Sequence, residues 1–196
     1  MKTQQYNLHF LGAFGLSGDH DRILFDDPVS GQSGIYLWAV PYVRGGLLVS
    51  YVGETSASFG RRMKDHMIQT VGGNYRISDP DLLQQGVDRI LWNGLWRKGT
   101  RDRMPEYLQR LVEFAPTIQR LFALERVFVV PFHSERRLRQ RIEAALADHI
   151  KTQPAPISSL LPEDIRYYAR RKGKEPVRVH MRSDELIIGL PCDLEA

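Results

Sequence analysis

The chain has 196 residues, of which 42 % are hydrophobic and 10 % aromatic, with a formal net charge of +4 and a sequence pI of about 9.3. That composition excludes global disorder, and the positive charge admits an anionic partner without requiring one. Cys192 is the only cysteine, which excludes a disulfide framework and a cysteine-rich zinc centre and points to a reducing, cytoplasmic setting. The N-terminus, with one lysine and an apolar patch broken by His9, reads poorly as a signal peptide, and no apolar run approaches the roughly 20 residues of a membrane span. A soluble protein without a membrane partner is expected.

Tyr6 to Phe10 alternates weakly, as an edge strand does, and a loop rich in Gly, Asp and Ser follows. Residues 34–43 and 47–53 are rich in Val, Leu, Ile, Tyr and Trp around Gly45-Gly46, which predicts a β-hairpin. Period-two alternation puts Tyr36, Trp38 and Val40 on one face of the first strand and Leu47, Val49 and Tyr51 on one face of the second. Thr55, Ser56 and Ser58 are candidate caps for a helix that Gly72-Gly73 ends. Its apolar stripe is Phe59, Met63, Met67 and Thr70, with His66 inside the margin, Arg62 just outside and Arg61 opposite.

Residues 74–122 hold two helical patterns that start near Asp-Pro and Met-Pro, with Trp92 and Trp96 four apart on the first. "RVFVVPF" (126–132) predicts a buried strand. Ser134 can cap the next helix, whose stripe is Leu138, Ile142, Ala145, Leu146, His149 and Ile150, with Glu143 at its rim. A basic tail at 166–174 and a hairpin in "VRVHMRSDELIIGL" complete the chain. The order of elements predicts a small α/β sandwich with a three-stranded core sheet flanked by helices. Its parts are an N-terminal extension (1–33), a central domain (34–153) with a helical insertion (about 74–122), and a basic C-terminal extension (154–196).

Gly34-Ile35-Tyr36 and Tyr51-Val52-Gly53, the Arg62-xxx-His66 pair, and Glu143 in "IEAALADHI" occur in the order that resembles the GIY-YIG nucleases. The resemblance covers roughly 34–72 and 126–153. It implies a Mg²⁺-dependent (or Mn²⁺-dependent) endonuclease with Tyr36, Tyr51, Arg62, His66 and Glu143 as catalytic residues and Glu143 as metal ligand. Taken singly, strand tyrosines are packing residues and a helix-rim arginine is a solvated charge; the ordered set is what carries the reading. Many family members have an asparagine shortly after the glutamate helix, whereas "KTQPAPISS" offers only Gln153 as an amide.

The chemistry suits these residue types. Hydrolysis of a phosphodiester needs a group to take the proton of water and charge to meet the phosphorane. Tyr36 can act as general base if neighbouring cations lower its phenol, with His66 assisting. Arg62 offers a permanently charged fork, Tyr51 a hydroxyl for phosphate or water, and Glu143 an oxygen ligand for a hard cation.

Arg166, Arg170, Arg171, Lys172 and Lys174, interleaved with Tyr167 and Tyr168, form a run without an acidic residue, the pattern of a nucleic-acid clamp for double-stranded DNA. "RRLRQR" reads equally as a solvated face. One active site cuts one strand, so double-strand cleavage requires a homodimer or sequential nicking. The alternatives are a catalytically weak or inactive nucleic-acid-binding module on the same fold, and a protein-interaction α/β domain whose tripeptides match by chance.

Overall fold

A computed structural model of the chain describes residues 4–18, 20–95, 103–163, 167–169 and 174–196. Its centre is a seven-stranded mixed sheet, wider than the three-stranded sheet expected. The strands, in chain order, are β1 (Gln4–Phe14), β2 (Gly34–Pro41), β3 (Leu47–Thr55), β6 (Arg126–Pro131), β7 (Val177–Ser183), β8 (Ile187–Ile188) and β9 (Asp193–Glu195), while β4 (Ile77–Ser78) and β5 (Ile90–Trp92) pair separately. The spatial order is β8-β3-β2-β6-β1-β7-β9. Both extensions therefore build the sheet. Residues 4–14 are no edge strand but lie between β6 and β7, which buries Leu8 and Phe10 to 1 % exposure each. The hairpin expected within residues 177–190 does not form: β7 runs parallel to β1 and antiparallel to β9, whereas β8 crosses to the opposite border beside β3.

Helices α1 (Phe59–Val71) and α3 (Met104–Leu124) pack on one face and α4 (Arg136–Lys151) on the other. Ile142, Leu146 and Ile150 of α4 are fully buried on Ile35, Leu37 and Val52, at about 1.5–3 kcal/mol per buried side chain. Ser58 caps α1 by accepting from the Arg61 N–H. The expected Ser134 cap of α4 is absent; Glu135 stands at the N-cap without a side-chain cap bond, and the Ser134 hydroxyl points to the Glu135 carbonyl.

The insertion departs furthest from its helical pattern. Residues 74–95 form the two-stranded β4–β5 sheet around a single turn, α2 (Pro80–Leu83), which Asp79 caps through the Asp81 and Leu82 N–H groups. Trp92 lies in a strand, 1 % exposed, with its indole N–H donated to the Gly73 carbonyl at 2.7 Å and its ring against Tyr107 and Phe114 of α3. Trp96 lies outside the described residues. The apolar run around Trp92 is read by β4 and by α3, so tertiary packing overrides the helical spacing.

Candidate active site

Two glycines let β2 close up on its neighbours β6 and β3. A Cβ at Gly34 would stand 2.0 Å from the Val130 carbonyl oxygen of β6, and one at Gly53 would stand 2.3 Å from Cζ of Tyr36, its cross-strand partner. The Tyr36 ring thus lies in the space a side chain at 53 would need. Pairing jumps from Trp38–Tyr51 to Ala39–Val49, so Ser50 is an extra residue in β3. This bulge breaks the strict alternation expected for Leu47, Val49 and Tyr51: Val49 faces α4, whereas Tyr51 turns to the α1 side. There it stacks on Tyr36, with centroids 5.9 Å apart and an interplanar angle of 21°.

One turn apart on α1, Arg62 and His66 face these phenols. Arg62 Nε donates to the Tyr36 hydroxyl at 3.1 Å, and the same hydroxyl is 2.9 Å from His66 Nε2. Four of the five expected catalytic residues thus form one continuous cluster, roofed by two aromatic residues that sequence reasoning left out. Tyr75 lies 5.4 Å from the His66 ring and Trp38 5.2 Å from it. Arg61, as expected, is exposed on the other side of α1.

Glu143 arrives from the other layer. Among the described residues β8 covers the outer edge of β3 only at Leu47 and Leu48, which leaves the Glu54 N–H to donate to Glu143 Oε1 at 2.9 Å. The carboxylate therefore sits at the sheet edge, near enough to the cluster for its charge to raise the Tyr51 phenol and for the Arg62 charge to stabilise it in turn. The Glu54 side chain is held by Arg139, whose Nε donates at 3.1 Å and which also reaches Ser56 and the Ser134 carbonyl. Arg136 adds a looser contact at 3.5 Å. Neither Glu54 nor Arg139 was singled out from the sequence; the signal was a carboxylate directly after Tyr51-Val52-Gly53 and a heptad-like arginine on the buried side of α4.

Burial dominates the acid–base properties. It pushes the Tyr36 phenol well above its ordinary range, the Tyr51 charge adds to this, and Arg62 only partly opposes it. The lowered phenol expected for Tyr36 is thus reversed: it is a protonated hydroxyl. Tyr51 is raised too, by burial first. Burial and then the Arg62 charge lower His66 to about 3, so its imidazole is neutral. Burial, followed by the neighbouring Glu54, raises Glu143 to about 7, against the Glu54 N–H and the Arg62 and Arg136 charges.

With Oε1 occupied by a backbone N–H, Glu143 has Oε2 left for a cation, and no group of three or more His, Cys, Asp or Glu gathers among the described residues. That donor set fits a hard cation bound through one carboxylate, with waters and a substrate phosphate supplying the other oxygens. Gln153 takes no part. At the far end of α4 its amide contacts the His149 carbonyl and ring, at 3.4 Å each.

Most of the basic run expected to clamp DNA is not described. Arg166, Arg170, Arg171 and Lys172 lie outside the described residues, and Lys174 is exposed. Tyr167 is not a surface stacking platform: it packs against the α4 core with Lys151 Nζ 5.0 Å from its ring, and its hydroxyl is buried without a partner among the described residues. Tyr168 is 62 % exposed. The "RRLRQR" arginines bind the chain itself, Arg137 donating to the Tyr168 and Ala169 carbonyls and Arg141 to those of Glu175 and Ala196. No helix among the described residues is long and apolar enough to cross a membrane. No protein-family model, no curated protein and no solved structure matches the chain.

Proposed function

We propose that the chain is a divalent-metal-dependent DNA endonuclease that hydrolyses phosphodiester bonds at the Tyr36–Tyr51–Arg62–His66–Glu143 site. The observation that carries this reading is the hydrogen-bonded line from Arg62 through the Tyr36 hydroxyl to a neutral His66. With His66 in the Nδ1-protonated tautomer, Tyr36 gives its proton to Nε2 as it takes one from water, so no phenolate has to persist in the buried site. The hydroxide so formed attacks phosphorus, and the bond to the opposite ester oxygen breaks in line. Arg62 meets the charge that develops on the phosphoryl oxygens, and the half-buried Tyr51 presents its hydroxyl to them. Tyr36 is fully buried and stacked on Tyr51, so the reacting water enters past that ring. Mg²⁺ or Mn²⁺ held by Glu143 supplies Lewis-acid stabilisation of the same charge and of the leaving oxygen. Exposed Arg61 and Lys64 beside Arg62, together with the basic 166–174 run, suit a duplex backbone.

A second reading, a binding module with little or no activity, is favoured by the raised Tyr36 phenol and by the engagement of the Gln153 amide with His149 at the far end of α4. Plasmid nicking with Mg²⁺ and with chelator, beside a DNA-binding titration, separates the two. The expected result is Mg²⁺-dependent nicking by the wild type, with Glu143→Gln and Tyr36→Phe binding DNA without cutting it. Cleavage that persists in chelator or in Glu143→Gln would sink the metal mechanism; a wild type that binds but never nicks selects the second reading.

A further inference from the structure

The 21-residue helix α3 turns a side without charge toward solvent. At about 100° per residue, Met104, Leu108, Val112, Ala115 and Pro116 fall within one arc roughly 140° wide. The only polar side chains within it are those of Gln109 and Gln119. Leu108 is 58 % exposed and Val112 86 %. The solvent side of a helix ordinarily carries its charges, and an apolar stripe there marks a contact surface. The Tyr107 hydroxyl donates to the Val71 carbonyl, which brings the last turn of α1 to the border of this face. Exposed Ile68 and Val71 extend the apolar surface there.

The charges nearby identify the occupant. Arg103 is paired with Glu106, Arg110 with Glu113, and Arg120 with Asp81. Among the described residues, a phosphate backbone finds no cation on the arc, and a charged protein finds no counter-charge. A neutral face rimmed by internally neutralised pairs is complementary to itself. The stripe also reads in both directions from Val112, with Leu108 on one side and the smaller Ala115 and Pro116 on the other. We propose that α3 packs antiparallel on α3 of a second copy of this chain across a two-fold axis at Val112, with Leu108 of one copy seated over Ala115 and Pro116 of the other. Antiparallel helices also oppose their dipoles favourably. The pairing stands independently of the nuclease reading; if that reading holds, it supplies two sites that each cut one strand.

Sedimentation equilibrium of the full chain, from about 1 to about 100 µM, covers the affinities in question. The expected wild-type mass rises from 22.6 kDa to twice that value. Val112→Glu, at an 86 % exposed position that cannot disturb the fold, buries a carboxylate against its own copy and raises Kd at least about 30-fold, the effect of losing one hot spot. Leu186→Glu, at a position 69 % exposed and outside α3, leaves the dimer intact. A wild type that stays at 22.6 kDa throughout, a Val112→Glu variant as dimeric as the wild type, or equal dissociation by Leu186→Glu overturns the proposal.

Discussion

Helices α1 and α4 flank the same strands and are both rich in arginine, yet they use their charges in opposite ways. On α1 the 62/66 spacing places a guanidinium and an imidazole directly on the Tyr36 hydroxyl, and the neighbouring cations Arg61 and Lys64 stay in solvent. On α4 the arginines bind the chain itself: Arg139 is 5 % exposed and braces Glu54, while Arg137 and Arg141 tie down the C-terminal segment. One helix brings a cation and an imidazole to a phenol, and the other builds the frame that positions a carboxylate. A count of basic residues cannot separate these roles, because the difference lies in which carbonyls and carboxylates the fold places within reach.

The largest effect expected from this contrast is on stability. Arg139→Met leaves the Glu54 carboxylate, whose side chain is 9 % exposed, with only the exposed Arg136, and should cost about 3–5 kcal/mol. Arg136→Met should cost no more than about 1 kcal/mol, and adding Glu54→Gln to Arg139→Met should recover much of the loss. Urea unfolding checks all three, and equal costs for Arg136 and Arg139 would erase the distinction between brace and surface. Next comes catalysis. Arg62→Ala should lower the cleavage rate about 10²–10³-fold, whereas Arg61→Ala, on the solvent side, should weaken DNA binding and leave turnover within about threefold. A greater loss of turnover from Arg61→Ala would contradict the register of α1.

Most of the α1 half was legible in the sequence because helical spacing and cap chemistry are local: Ser58, the Phe59–Met63 stripe and the 62/66 pair all follow from a 3.6-residue period. The convergence of Tyr51 on Tyr36 was legible only as an ordered motif. Strict alternation assigns Tyr51 to the same face as Val49, and the bulge at Ser50 that separates them leaves no local mark. The width of the sheet was hidden for another reason. β1 gains its central place from pairing with β7, whose residues come about 170 positions later, and contacts of that range leave no periodic trace. The insertion misled because Trp92 and its neighbours satisfy α3 from a strand as well as they would from a helix.

A smaller effect separates Gly53 from its neighbours in β3. Gly53→Ala places a methyl 2.4 Å from the Tyr36 hydroxyl oxygen, which must shift the ring and break its bonds to Arg62 and His66. We expect about 1–3 kcal/mol of destabilisation with a loss of cleavage out of proportion to it. Unfolding and nicking measured on the same variant test this; a stable Gly53→Ala with normal cleavage would show that the ring has room to move.

The smallest effect is electrostatic and opposes the two helices in one titration. His66 of α1 is held neutral, near 3 against an ordinary 6.5, so the unfolded chain takes up a proton that the folded one refuses. The stability this residue confers is complete above pH 6.5 and is lost as the pH falls toward 3, with a slope approaching about 1.4 kcal/mol per pH unit. Glu143 of α4 has the reverse sign. Raised to about 7 from an ordinary 4.5, it contributes fully below pH 4.5 and loses that contribution as the pH rises through 7. Between these ordinary values the slopes offset each other in the wild type. Glu143→Gln removes one of them, so this variant should lose stability relative to wild type as the pH drops from 6.5 to 5, and His66→Gln should gain on wild type over the same interval. Urea unfolding across that range reads both. Parallel curves for all three proteins would mean that neither group is held away from its ordinary titration.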